Sequence, residues 1–457
     1  MEKAGTNNPR NHFNPNKEEG MKRTVLLLAV LAMLWGGTAL AQEKTQITFW
    51  HAMGGQRTAF IQRMVDDFNF THPEIQVKVE TKPSYRDVLN SSILAAKQGS
   101  APHIVQLFEV GTQLALDAGI FTPFEDHVKP EDYALLDDYI APVANYYRVR
   151  DKFNSIPWNS SNPVMYYNKT LFEKAGLDPE APPATYGEVL QACEKMEASQ
   201  AAPKCITWPL HSWRAEQWVA MQGELLANNE NGRADRATDV YLDSEAMKTI
   251  MTWWATLYNK GYYAYSGKPE DWDGANQIFV SQQAAMLVTS TSDVSILQDA
   301  AFENGFELGT AFLPAPDGKE RNGVVIGGAS LWMTREHPEK ELDAAKTFLL
   351  WFTNTENMVR WHKGTGYFPV RKSAVDVVEF QKWFERKPAY RAAFDQLLQT
   401  KVNRATQGAL MGAFTEVRTI IEDAAQKVFA GTSIEEALKE ADERADKALA
   451  AYNASVK

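Results

Sequence analysis

An α/β fold divided between two domains is what the sequence predicts, and three observations predict it. Strand and helix periodicities alternate from the first apolar segment onward. The length of 457 residues exceeds what one ordinary core holds. No long linker separates one half from the other, which points to a chain that crosses between domains more than once. Alternation of this kind builds a mostly parallel sheet with helices on both faces.

The elements follow in order. Gln46 to Trp50 reads as a strand. Phe60, Ile61, Met64, Val65 and Phe68 recur at helical spacing, and Ile75, Val77 and Val79 alternate as strand residues do. Leu89, Ile93 and Leu94 share one face of a helix around Asp87 to Lys97, and His103 to Val110 is a buried strand. From about 159 to 320 helices mix with short strands. Ala284 to Ser290 and Val324 to Met333 are further strands. The C-terminal hundred residues are largely helical, with patterns near 340–354, 376–386, 406–430 and 433–452.

Composition narrows the function classes. Hydrophobic residues at 44% and charged residues at 23% match a soluble globular norm, which excludes a disordered chain or a membrane channel. The net charge of -11 excludes a nucleic-acid partner, because phosphate backbones are bound by excess Lys and Arg. Any anionic ligand must therefore be held by a local site. Thirteen Trp, 22 Phe and 16 Tyr supply side chains that fill cores and also stack on small ligands.

Near the N-terminus, Met21-Lys22-Arg23 precedes the apolar run Val25 to Trp35, and Gly36-Gly37-Thr38-Ala39-Leu40-Ala41 follows. A charged segment, an apolar segment and an A-x-A site in this order form a secretory signal peptide. Residues 1–41 are thus expected to be an extension and leader, with translation starting at Met21 and cleavage near Ala41. No Cys follows the cleavage site, and no later run of about 18 apolar residues exists, so an exported soluble chain is expected. Two cysteines remain, Cys193 and Cys205. An oxidising compartment permits a bond between them, and two buried free thiols are the alternative.

Several motifs are absent: GxxxxGK[ST], GxGxxG, HExxH, CxxC and GxSxG. The 8 histidines are scattered without metal-site spacing, so no metal and no cofactor is expected. These absences favour a binder over an enzyme.

Blocks along the chain carry a resemblance: Phe49-Trp50-His51-Ala52-Met53, Gly99-Ser100-Ala101-Pro102, Phe108-Glu109-Val110-Gly111-Thr112, and Trp158 to Lys169. Ile326-Gly327-Gly328-Ala329-Ser330-Leu331-Trp332 and Thr365-Gly366-Tyr367-Phe368-Pro369 continue it. In order and approximate spacing, from about 46 to 450, they resemble extracellular solute-binding proteins of ABC importers. The class is maltose-binding-like, and the nearest branch binds glycerol-3-phosphate or glycerophosphodiesters. The resemblance implies a two-lobed periplasmic binding protein fold with ligand in the inter-lobe cleft. It places 42–158 plus about 329–354 in one lobe, and about 159–328 plus 355–457 in the other. It also implies a periplasmic location, a membrane permease as partner, and a monomer that is not an enzyme.

The same resemblance implies the site. Tyr85 and Glu109 match residues that face polyol hydroxyls; a carboxylate after an apolar strand is costly to bury unless it accepts hydrogen bonds. Ser161 and Ser290 match phosphate-binding serines, and Thr291-Ser292-Asp293 offer N-cap candidates for a helix that presents positive potential. Gly328 sits inside a strand, where glycine is kept when a ligand or another backbone comes close. The family uses its backbone N–H, and the hydroxyl matching Tyr367, on phosphate. Arg418 offers a guanidinium to the same phosphate, against a local salt bridge to Glu416 or Glu422.

One departure concerns the tryptophans. The branch has two closely spaced indoles after a cysteine, whereas this segment reads Cys205-Ile206-Thr207-Trp208-Pro209-Leu210-His211-Ser212-Trp213. Trp213 takes one position; Trp208 comes too early for the other, where Leu210 or a neighbour stands instead. An opened wall there would admit a larger headgroup such as glycerophosphocholine. A neutral-sugar binder of the same class is the first rival reading, and an exported hydrolase with two carboxylates across a cleft the second.

Overall fold

Local patterns become elements for identifiable reasons. The computed structural model describes Gly5 and residues 44–456; the Met21 start and the cleavage site near Ala41 lie outside the described residues. β1 (Thr45–His51) buries Ile47, Phe49 and His51 on alternate positions. α1 (Gln56–Thr71) buries Ile61, Met64, Val65 and Phe68, one stripe of its surface. After β2 (Ile75–Thr81), Ser84 caps α2 (Tyr85–Lys97) by accepting from the Asp87 N–H. β3 (Ile104–Phe108) stops one residue short of Glu109, which starts a 3-10 turn, Glu109–Gly111.

β4 (Phe121–Thr122) is a short strand. β5 (Ile156–Ser161) and β6 (Pro163–Asn168) are separated by Asn162 alone, and every residue of both is buried. Then come β7 (Lys204–Thr207), α3 (Trp213–Met221), β8 (Ala284–Ser290), β9 (Leu308–Ala311) and β10 (Gly327–Thr334). α4 (Glu339–Phe352), α5 (Phe414–Phe429) and α6 (Ile434–Ser455) belong to the helical C-terminal part. A helix at Thr355–Thr365 lies among them, where the sequence pattern shows none.

Two sheets result. The six-stranded sheet has the order β2-β1-β3-β10-β4 with β5 also on β10, and the four-stranded sheet has the order β9-β6-β8-β7. The chain leaves the first sheet at Asn162 and returns to it at Gly327. The expectation of a mostly parallel arrangement is corrected here. β1 and β3 are parallel, but β10 runs antiparallel to β3, β4 and β5. In the second sheet β8 is parallel to β7 and antiparallel to β6. A strand that returns from the other sheet can enter in either direction, and no local helix–strand alternation records which.

Aromatic packing fills the part around the second sheet. Trp208 is buried, stacks 3.8 Å from Tyr263 and lies 5.9 Å from Trp253. Cys193, on the helix Tyr186–Ser199, is bonded to Cys205 of β7 across a Cα–Cα distance of 5.2 Å. The question that the sequence left open is thus decided for the disulfide, which fits an oxidising compartment. Among the described residues no helix is long and apolar enough to cross a membrane.

Candidate ligand-binding site

The eight residues singled out from the sequence all fall along the junction of the two sheets. Beside the first sheet, Tyr85 is the opening residue of α2. Its hydroxyl accepts from Asn159 Nδ2 at 3.0 Å. Asn159 Oδ1 accepts in turn from Gln106 Nε2 at 2.9 Å, and Gln106 Oε1 from the Ala52 N–H at 2.8 Å. This relay fixes the phenol and leaves its own proton to donate. Burial first, then the neighbouring Tyr367, push the Tyr85 phenol well above its ordinary pKa, so it stays neutral.

Arg418 joins the two sides. Its Nη2 donates to Glu109 Oε1 at 2.7 Å and to Glu216 Oε2 at 2.9 Å, and its Nε donates to Glu216 Oε1 at 2.7 Å. All three residues are buried. Burial lifts the Glu109 carboxyl above its usual range, against the pull of Arg418 and with a push from Glu216. Burial opposes the charge on Arg418, but Glu216 and then Glu109 carry its pKa above the ordinary guanidinium value. Among the described residues neither Nη1 hydrogen of Arg418 has a partner. The local salt bridge to Glu416 or Glu422 does not form: Glu416 is exposed, and Glu422 accepts from the Ser212 N–H at 3.0 Å.

A second guanidinium spans the junction. Arg57, at the start of α1, donates from Nη2 to the Ser292 carbonyl at 2.7 Å and to Asp293 Oδ1 at 3.2 Å. The same guanidinium lies 5.6 Å from the ring centre of Tyr367, which is buried and stacks on Trp361. Gly366, at φ +90, turns the chain out of the preceding helix and sets Tyr367 there. Ser290 itself acts as the cap: its Oγ accepts from the Ser292 N–H at 3.2 Å and the Ser292 hydroxyl at 3.0 Å. Thr291, Ser292 and Asp293, read from the sequence as cap candidates, form a short 3-10 turn, and Asp293 stands at the N-cap position of the helix Val294–Glu303 without a side-chain cap hydrogen bond. Asp293 also accepts from Thr289 Oγ1 at 3.0 Å.

Ser161 pairs opposite Gly327 in the β5–β10 register and is buried. Gly328 has φ +100, and a Cβ there would stand 1.9 Å from the Asn159 carbonyl oxygen. A neighbouring backbone therefore accounts for this glycine without a ligand. At Gly327 a Cβ would stand 2.4 Å from Trp213 Cζ2, so the indole rests on bare backbone. The second indole beside Trp213 is Trp272, 6.2 Å away, which comes from a distant segment. Trp208 and Leu210 are core residues, and the indole beside Trp213 comes from a segment that motif spacing could not reveal.

Sequence reasoning also missed Arg57, Glu216 and Arg214. Arg214 is fully buried, donates from Nε and Nη2 to the Val288 carbonyl at 3.1 and 3.0 Å, and lies 4.6 Å over the Trp272 ring. Burial without a carboxylate partner lowers its pKa to about 9. Its Nη1, Trp213 Nε1, Ser160 Oγ and Thr291 Oγ1 are buried without a hydrogen-bond partner among the described residues. Unsatisfied buried donors are costly in a fold that does not use them.

Beside Trp272, the ligating atoms of His211, Glu270 and Glu422 lie within 4.8 Å of one another. Burial above all raises the Glu422 pKa to about 7 from its ordinary value of 4.5. Between those values the folded chain holds a proton that the unfolded chain has lost, so stability falls as pH rises through that window. Raising the pH from 5 to 8 should cost the native chain about 2–3 kcal/mol through this group. Glu422→Gln should remove that increment, read from urea unfolding of both proteins at the two pH values. An identical pH dependence in the variant would contradict the assignment.

Residues 63–392 match the family of bacterial extracellular solute-binding proteins. The sn-glycerol-3-phosphate-binding periplasmic protein UgpB of Escherichia coli K12 is 29% identical over 429 residues, 91% of this chain and 95% of that protein. UgpB from Mycobacterium tuberculosis, solved in complex with glycerophosphocholine, is 21% identical, with a TM-score of 0.72 over 89% of this chain and 98% of that one. The cyclic alpha-maltosyl-1,6-maltose binding protein from Arthrobacter globiformis is 22% identical, with a TM-score of 0.72 over 89% of this chain and 99% of that one. The two structures share the two-lobed, maltose-binding-like α/β fold with this chain.

Proposed function

The chain belongs to the bacterial extracellular solute-binding protein family, and from that premise we propose that it captures sn-glycerol-3-phosphate or a glycerophosphodiester for an ABC importer. A sugar- or glycerol-phosphate-binding role in ABC transport follows from the family and its relatives; the choice of a glycerophosphate over a sugar rests on the cluster around Arg418. The observation that carries it is the Arg418 guanidinium, buried between Glu109 and Glu216 with both Nη1 hydrogens uncommitted among the described residues. These two N–H groups diverge, and each can donate a charge-assisted hydrogen bond to a phosphate oxygen.

In this reading Arg418, the Tyr367 hydroxyl, Ser161, Ser290 and the Gly328 N–H hold the phosphate. Tyr85 donates to, and Glu109 accepts from, the glycerol hydroxyls. Trp213 and Trp272, with Glu270 and Glu422 near them, suit a cationic headgroup such as choline, which aromatic faces and carboxylates attract. Residues 42–158 with about 329–354 form one lobe, and about 159–328 with 355–457 the other. Ligand contacts from both sides supply the differential affinity that lobe closure needs. The protein acts as a periplasmic monomer, after removal of its leader near Ala41, and hands the solute to a membrane permease.

One observation favours the neutral-sugar reading instead. Arg418 is already matched by two carboxylates, so the cluster as a whole carries no surplus positive charge. Calorimetric titration of the chain starting at Gln42, with glycerol-3-phosphate, glycerophosphocholine and maltose, separates the two. A glycerophosphate should bind at about micromolar Kd or tighter, and maltose without measurable heat. Heat with maltose alone would overturn the proposal.

A further inference from the structure

Away from the junction, the structure brings together two histidines and a carboxylate that the ligand-binding reading does not use. His103 stands just before β3, His337 lies between β10 and α4, and Glu341 is in the first turn of α4. β3 runs from this end toward Glu109, so the group lies about 20 Å along the strand from the junction. His103 Nε2 is 2.9 Å from Glu341 Oε2, and His337 Nδ1 is 3.7 Å from the same oxygen. One ligating atom from each of the three lies within 4.8 Å of the others. We propose that His103, His337 and Glu341 form a binding site for a divalent cation of the Zn2+ type.

The argument rests on spacing and on proton positions. A tetrahedral ion with ligands at about 2.0–2.1 Å sets those atoms about 3.3 Å apart, and the two measured separations bracket that value. The Thr334 hydroxyl donates to the Pro102 carbonyl, so at 2.9 Å it accepts from His337 Nε2. A neutral His337 thus carries its proton on Nε2 and presents a bare Nδ1 lone pair to a carboxylate oxygen. A cation placed between these two atoms would be held by both. Two His and one carboxylate with a fourth position for water are a common zinc set.

Ligation asks for two changes. His103 must move its proton from Nε2 to Nδ1, giving up the hydrogen bond that the Thr48 N–H donates to Nδ1 at 3.1 Å and donating to Thr48 Oγ1 at 3.1 Å instead, with no net release of protons. The rings, now 3.9 Å apart and 20° from parallel, must splay until both lone pairs meet at one point. His337 lies in a connection rather than in a strand. Among the described residues the other cluster of this kind, His211, Glu270 and Glu422, belongs to the ligand junction and serves as the control.

The test titrates Zn2+ alone, against a competing chromophoric chelator, into the chelator-stripped chain. The native protein should take up one equivalent at this site with micromolar or tighter Kd and unfold at a higher temperature with the ion present. His337→Ala and Glu341→Gln should each weaken uptake at least about 30-fold while circular dichroism and glycerophosphocholine binding stay unchanged. Absence of saturable uptake by the native chain, or undiminished affinity in either variant, would overturn the proposal. So would a loss that follows His211→Ala instead.

Discussion

Replacing Arg418 by alanine is expected to destabilise the folded chain by about 3–5 kcal/mol, the cost of stranding buried charge. Glu109 and Glu216, both buried, accept three hydrogen bonds from this one guanidinium. Without it they face each other with no cation. Capture of a glycerophosphate should fall by at least about 100-fold, since a charge-assisted pair is lost along with the order of the cluster. Stability and binding can be separated. Arg418→Met combined with Glu109→Gln and Glu216→Gln removes all three charges, so it should regain most of the stability but none of the affinity. Urea unfolding and calorimetry on both variants check this. A single-variant stability loss under about 1 kcal/mol would contradict the geometry.

Gly328→Ala is expected to cost about 4 kcal/mol or more, a size reserved for backbone conflicts and similar defects. The added Cβ would stand 1.9 Å from the Asn159 carbonyl oxygen, and at φ +100 any side chain is strained as well. The clash is with backbone, so no rotamer change relieves it. Relief must come from pushing β5 away from β10, beside the register shift between Ala329 and Ser330. Asn159 would move with it, and its hydrogen bond to Tyr85 would be lost. Gly54→Ala, which meets nothing within 4 Å, is the matched control and should change stability by under about 1 kcal/mol. Thermal unfolding of the two variants side by side reads the difference.

These two positions show how unevenly the molecule was legible from its residues. Gly328 stood out as a glycine within a strand, and the structure supplies the partner: a neighbouring backbone, one of the two causes the pattern allows. Arg418 stood out through resemblance, yet its real partners were missed. Glu416 and Glu422 are its neighbours along the helix, whereas Glu216 and Glu109 lie 202 and 309 residues away. Spacing rules reach one or two helical turns and say nothing at that separation. The second indole was missed for the same reason. Trp213 opens α3 and meets Trp272, which opens the remote helix Trp272–Val280, while the nearer Trp208 is consumed by the core.

By itself the sequence determined the α/β class, the bounds of Ala284–Ser290 as a strand, a helix around Asp87 to Lys97 and the family. Each of these depends on periodicity or short blocks, which act over a few residues. Only the tertiary structure decided the direction of β10, the Cys193–Cys205 bond and the partners of Arg57 and Arg418. It alone decided the meeting of His103, His337 and Glu341. Those outcomes depend on which distant surfaces bury one another, and burial is a property of the whole chain rather than of any segment.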